Sequence, residues 1–251
     1  MSSLHSEETK KIDVISHLEE VRRRVLFCVI VLVLATIGAF SWGEAIMSVV
    51  TAPIQKQVSQ LIFIAPTEAF VAFLKVSILA GFIASFPFIL YHAWRFLSPA
   101  FQKRERRRIS MWLLSSLFLF FAGIAFAYFI VIPAALEFLL NFNREVASPQ
   151  ITLGKYVSFF TALIIVGGIV FEIPVVMGLL TDAGILKTAV LRKKRHYALI
   201  VILMFAAIIT PTQDIVNMLL FAVPMILLYE IGILISRIIE SRKSKDQDLE
   251  Q

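Results

Sequence analysis

The sequence predicts an all-α integral membrane protein with six transmembrane helices, and three observations predict it. Of 251 residues, 59% are hydrophobic and only 17% charged, and mean hydropathy is +0.84, outside the range of water-soluble domains. Six apolar stretches, three of them carrying a single charged residue, reach or approach the roughly 20 helical residues that cross a hydrocarbon core. The basic residues also sort by loop. Residues 1–24, 98–110, 182–196 and 237–251 hold 5, 5, 5 and 4 Lys or Arg, whereas 43–68, 134–155 and 211–214 hold 1, 2 and 0. Basic loops stay cytoplasmic, so both termini are expected inside. The net charge of +6 then reflects topology and attraction to anionic lipid rather than nucleic acid.

The chain begins with a polar stretch containing DVISHLEEVRRRV. There Val14, Leu18, Val21 and Val25 fall at i, i+4, i+7 and i+11, one apolar stripe of a helix over about 13–24. Such a helix would lie along the membrane surface before turning into the first span, 25–42. RRRV followed by an apolar run imitates a secretory signal, but the run is longer than a usual signal core. The second span covers 69 to about 90. Lys75 lies near its outer end and is expected to snorkel outward or to reach an acid such as Glu68. Spans three and four cover 111–133 and 156–181. The fifth, 197–210, rises only about 21 Å and must sit in thinned bilayer or lean on the sixth, 215–236. Residues 1–236 read as one membrane domain, and 237–251 as a polar cytoplasmic tail expected to fray.

Several chemistries are missing. There is no GxxxxGK[ST] and no GxGxxG after a strand, so nucleotide hydrolysis is not expected. His5, His17, His92 and His196 occur without HExxH or paired cysteines, which argues against a metal site, and no GxSxG accompanies them. Cys28 is the sole cysteine and reads as a small apolar side chain. Neither a cofactor nor enzymatic activity is expected.

Carboxylates carry what chemistry remains. Glu172 stands in GGIVFEIPVVMG and Glu230 in the sixth span, both expected at similar depth. A carboxylate there costs a few kcal/mol or more, so it should face a bundle interior, a water pocket or a partner. Pro174 frees the carbonyl of Val170 and kinks the helix, and kink and acid together make a polar notch. Gly167 and Gly168 could let another helix approach. On the cytoplasmic side, Glu19 and Glu20 can pair with Arg23 and Arg24 at i+4. Glu105 is a single acid among five bases in FLSPAFQKRERRR. Glu20 and Glu105 face one compartment and could converge on a guanidinium, whose fork suits carboxylates. Phe96 and Pro99 could wall such a site.

These segments resemble the TatC family of twin-arginine translocase proteins over nearly the whole chain. HLEEVRRRV is similar to the family's HLxELRxRL, with Glu20 and Arg22 on its acid and base. WRFLSPAFQKRERR, FEIP, TP (Thr210, Pro211) followed by Asp214, and YEIGILISR are similar in turn. The resemblance implies a glove-shaped bundle with short fifth and sixth helices in the bacterial inner membrane. It implies that Glu20 and Glu105, supported by Arg22 and Phe96, recognise the paired arginines of signal peptides on folded cargo. It further implies that Glu172 presents a polar spot to single-span TatA- and TatB-type partners, that the proton gradient supplies the energy, and that several copies assemble. Pro53 matches a position important for assembly. Val21 and Phe101 replace the usual leucines. Gln213 intervenes before Asp214, and Asn217 and Met218 stand where Ser and Gln are common, so the family's partner contact does not carry over directly and Asn217 is the one residue there that could substitute for it. A small ion-coupled transporter with Glu172 and Glu230 as proton relay is the alternative, although no internal repeat relates the two halves. A scaffold without a ligand would explain the surface acids as pairing alone.

Overall fold

The computed structural model describes residues 2–58, 60–97, 106–141, 150–209 and 215–248, with side chains described at 19–58, 60–95, 110–141, 150–208 and 218–243. Within those residues lie ten α-helices, α1 to α10, in chain order: Ser2–Ser41, Gly43–Gln55, Pro66–Leu97, Arg106–Phe126, Ile132–Asn141, Leu153–Val170, Ile173–Asp182, Thr188–Lys193, Arg195–Ile209 and Ile215–Asp248. A π-helical segment, Ala127–Val131, joins α4 to α5. Five helical stretches are long and apolar enough to cross a membrane, and Arg195–Ile208 is a shorter apolar helix. Together they correspond to the six expected spans.

Four local readings change. The stripe around Val21 runs inside one helix that continues unbroken from Ser2 to Ser41, so the turn expected before the first span is absent. The fifth helix is short, but the sixth is not: α10 runs 34 residues to Asp248. The tail is therefore helical to Asp248 rather than frayed, because its side chains find partners. Lys243 Nζ pairs with Asp182 Oδ1 at 3.3 Å, and Glu240 accepts from the backbone N–H of Thr188 at 2.8 Å, capping α8. Lastly, the loop expected after the first span contains α2.

Prolines shape the bundle. Pro133 lies in the first turn of α5, one residue past the π segment. A proline ring clashes with the carbonyl four residues back, and the wider π turn gives that carbonyl room. Pro53 sits buried inside α2 and cannot bond the carbonyl of Val49. The Tyr128 hydroxyl, from the π segment, donates to that freed oxygen at 3.0 Å. Beside it, Tyr156 of α6, almost fully buried, donates to the carbonyl of Val50 at 2.6 Å. The position matched to assembly thus creates an acceptor through which α2 is fastened to the bundle. At the same end Ile62 exchanges backbone bonds with Ile151 and Leu153 at 3.1 and 2.8 Å. Glu68 accepts from the N–H groups of Ile64 and Gly154 at 2.9 and 2.8 Å. The main core lies between these helices, around Ile54, Val76, Ile132, Val157 and Leu163.

Candidate functional site

The fourth span breaks where the carboxylate sits. Helix α6 ends at Val170, α7 starts at Ile173, and Glu172 is the residue preceding α7, with Pro174 in its first turn. Proline is favoured at that position because its missing N–H would find no helical partner there. The Glu172 carboxylate accepts a hydrogen bond from the Ser116 hydroxyl of α4 through Oε2. Its other oxygen, Oε1, is buried and has no partner among the described residues.

Glycines make that bond reachable. A Cβ added at Gly123 would strike the carbonyl oxygen of Gly167, and one at Gly167 would meet Ala127 and the Gly123 carbonyl. Helices α4 and α6 therefore cross backbone to backbone. They run antiparallel, so stepping two turns back along α4 from Gly123 reaches Ser116, while stepping on from Gly167 reaches Glu172. Gly168 receives the ring of Phe120, which stacks on Phe86 with centroids 3.4 Å apart. The expected close approach at the glycine pair is present, and Ser116 is the partner sequence reasoning missed.

Glu230 is not a solitary acid. Its Oε2 accepts from Arg195 Nη2 at 2.8 Å, with both side chains nearly half exposed. Helices α7 and α10 run parallel: Met177 packs at Gly232, and Thr181 donates to Ser236 at 3.0 Å. The same offset sets Glu230 level with Val175, about one turn beyond Glu172. The similar depth holds, but Glu230 is held by Arg195, the first residue of α9. A second unexpected group is Asp182, which is 3% exposed. It takes the Trp112 indole N–H at 3.4 Å besides its pair with Lys243.

Lys75 is exposed and donates to Ser158 Oγ at 2.8 Å, so its described hydrogen bond is to a hydroxyl on α6 and not to Glu68. Among the described residues no three His, Cys, Asp or Glu side chains gather as a metal site.

At the opposite end from α2, helix α1 packs antiparallel on α3. The two come closest where Gly81 meets Thr36, and further along where the ring of Phe27 lies 4.7 Å from that of His92. Beside this contact opens a groove of about 880 Å³ lined by Glu19, Glu20, Arg22, Arg23, Arg24 and Arg95, among others. Glu20 is bonded by Arg24, one turn further along α1. The structure thus places Glu20 and Arg22 on one groove. The side chains of Phe96, Pro99, Glu105, Thr210, Pro211, Asp214 and Asn217 lie outside those described.

These features define a polytopic helical membrane protein whose candidate sites are carboxylates in an open groove and in a helix break. A family model, "Sec-independent protein translocase protein (TatC)", matches residues 16–224. Among curated relatives with that name, one from Carboxydothermus hydrogenoformans is 37% identical over 94% of this chain and 97% of its own. One from Escherichia coli K12 is 38% identical over 89% and 87%. The crystal structure titled "Crystal Structure of Twin Arginine Translocase Receptor- TatC" superposes with a TM-score of 0.80 at 37% identity, covering 89% of this chain and 99% of that one. The chain belongs to the TatC family of Sec-independent protein translocase proteins, a non-enzymatic family of membrane proteins.

Proposed function

We propose that this protein is the receptor component of a twin-arginine export system, binding the arginine pair of signal peptides at the groove between α1 and α3. The observation that carries the reading is Glu20 on the wall of that 880 Å³ groove, half exposed and already holding the guanidinium of Arg24. A carboxylate accepting charge-assisted bonds from a guanidinium gains roughly 1.5–3 kcal/mol per bond. Glu105 would supply the second acid, with Arg22, Phe96 and Pro99 completing the site. Both termini and the groove would face the cytoplasm of a bacterium, with α2 outside the inner membrane.

The break at Glu172 would be the docking place for single-span TatA- and TatB-type partners. Its Oε1 is buried next to Pro174 without a described partner, so a docking helix that opens the break would find an unused acceptor there. Thr210, Pro211, Asp214 and Asn217 would extend that contact surface, and Glu230 would serve it through its exposed pair. Pro53 and Lys75, at the α2 end, would bear on assembly of several copies, and the proton gradient would drive transport.

The test is binding of a synthetic twin-arginine signal peptide to the purified protein. Glu20→Ala and Glu105→Ala should each weaken binding about tenfold or more, the loss of one charge-assisted bond. Unchanged affinity in both variants would overturn the receptor reading.

A further inference from the structure

The groove is crowded with the same cation it is proposed to receive. Four arginines, Arg22, Arg23, Arg24 and Arg95, line it against two acids, Glu19 and Glu20. Arg95 is engaged with the Tyr91 hydroxyl at 3.3 Å, but Arg24 is engaged with Glu20 itself. Both its Nε, at 3.0 Å, and its Nη2 bond to the same carboxylate oxygen. The Arg24 side chain is only 17% exposed. Its remaining Nη1 reaches the carbonyl of His92 on α3 at 3.5 Å. Arg24 therefore sits between the recognition acid and a second acceptor across the helix pair.

The geometry points to Arg24 as a resident guanidinium that occupies Glu20 until an incoming arginine replaces it. The inference rests on the receptor reading above and concerns how that site is regulated. Adding two guanidiniums to a groove that already holds four raises repulsion, whereas exchanging one for another at Glu20 leaves the number of bonds on that carboxylate unchanged. The His92 carbonyl keeps one donor of Arg24 satisfied while it leaves. Thermodynamically the resident is a competitor: apparent affinity for cargo falls by the fraction of time that Glu20 is open. Exposed pairs of this spacing are worth a few tenths of a kcal/mol, and partly buried ones more, so that fraction is on the order of a third to a tenth.

The sign of the effect separates this role from a structural one. Arg24→Gln should bind a synthetic peptide with two adjacent arginines about three- to tenfold more tightly than the wild type, by the same occupancy argument. Arg24→Lys keeps the charge but loses the fork, so it should give a smaller gain, which charge removal cannot explain. In a Glu20→Gln background, Arg24→Gln should give no gain, because the competed acid is gone. Weaker or unchanged binding by Arg24→Gln and Arg24→Lys, with the wild type still preferring arginine to lysine pairs, would overturn the inference and leave the receptor reading standing. A wild type without affinity for the arginine pair would overturn both. Should Arg24→Gln melt below the assay temperature, Arg24→Lys alone carries the test.

Discussion

At the α2 end, the described fastenings are hydrogen bonds rather than ion pairs: Tyr128 and Tyr156 donate to the carbonyls of Val49 and Val50, Ile62 trades backbone bonds with Ile151 and Leu153, and the Glu68 carboxylate accepts from the N–H groups of Ile64 and Gly154. At the opposite end, the groove between α1 and α3 is lined by charged groups paired within each helix: Glu20 with Arg24 on α1, and Arg95 with Tyr91 on α3. The Tyr156 hydroxyl, aimed at a single buried carbonyl, has one good geometry and no substitute from solvent, so it fixes structure. An ion pair at a groove mouth trades readily with water, salt or another cation, so it is suited to exchange. The difference separates a frame from a surface open to exchange within one chain.

The hardest blow to the frame falls at the α4–α6 crossing. A Leu at Gly123 puts its Cβ against the carbonyl oxygen of Gly167, a backbone atom that cannot rotate away. The helices must part, at a cost of about 3 kcal/mol, the upper end of ordinary overpacking. Unfolding of the purified Gly123→Leu protein in detergent should show that loss, and Ser116 should lose contact with Glu172. Wild-type stability would mean that the crossing is looser than the backbone contact implies.

Tyr156→Phe is gentler and more specific. It removes one hydroxyl from a residue that is 2% exposed and leaves the Val50 carbonyl without that donor. A loss of about 1 kcal/mol is expected, with the groove's affinity for peptide untouched. An equal loss of peptide binding would show that the two ends are coupled and not separate devices.

Much of this frame could be read from residue order. Nearly charge-free runs and the placement of Lys and Arg located all six apolar helices, and Pro174 correctly announced the break beside Glu172. The motifs also brought Glu20 and Arg22 to one surface. What escaped were partners far apart in sequence. Ser116 lies in LLSSLFLFF, where a serine usually bonds its own preceding turn. Only the Gly123–Gly167 register, a property of two packed helices, aims it at Glu172. Asp182 looked like the first residue of a loop, yet Lys243, 61 residues on, anchors it. The same distant contact is why the C-terminal tail is helical. The break before the first span failed for a different reason: the amphipathic stripe and the apolar run share a helical period, and nothing between them forbids continuity.

Glu230 is the smallest and most discriminating case, since it sits near the depth of Glu172 but carries the kind of bond found in the groove. Its pair with Arg195 is nearly half exposed on both sides, and such pairs contribute about 0–1 kcal/mol. Glu230→Gln should therefore leave the unfolding transition almost where it is. Arg195 would keep a neutral acceptor, and Tyr229 would still donate to the Leu191 carbonyl at 3.0 Å, holding α10 to α8 without the charge. A drop as large as that from Tyr156→Phe would place the pair within the frame. A null effect on stability combined with loss of copurifying single-span proteins would place it on the docking surface proposed around Glu172.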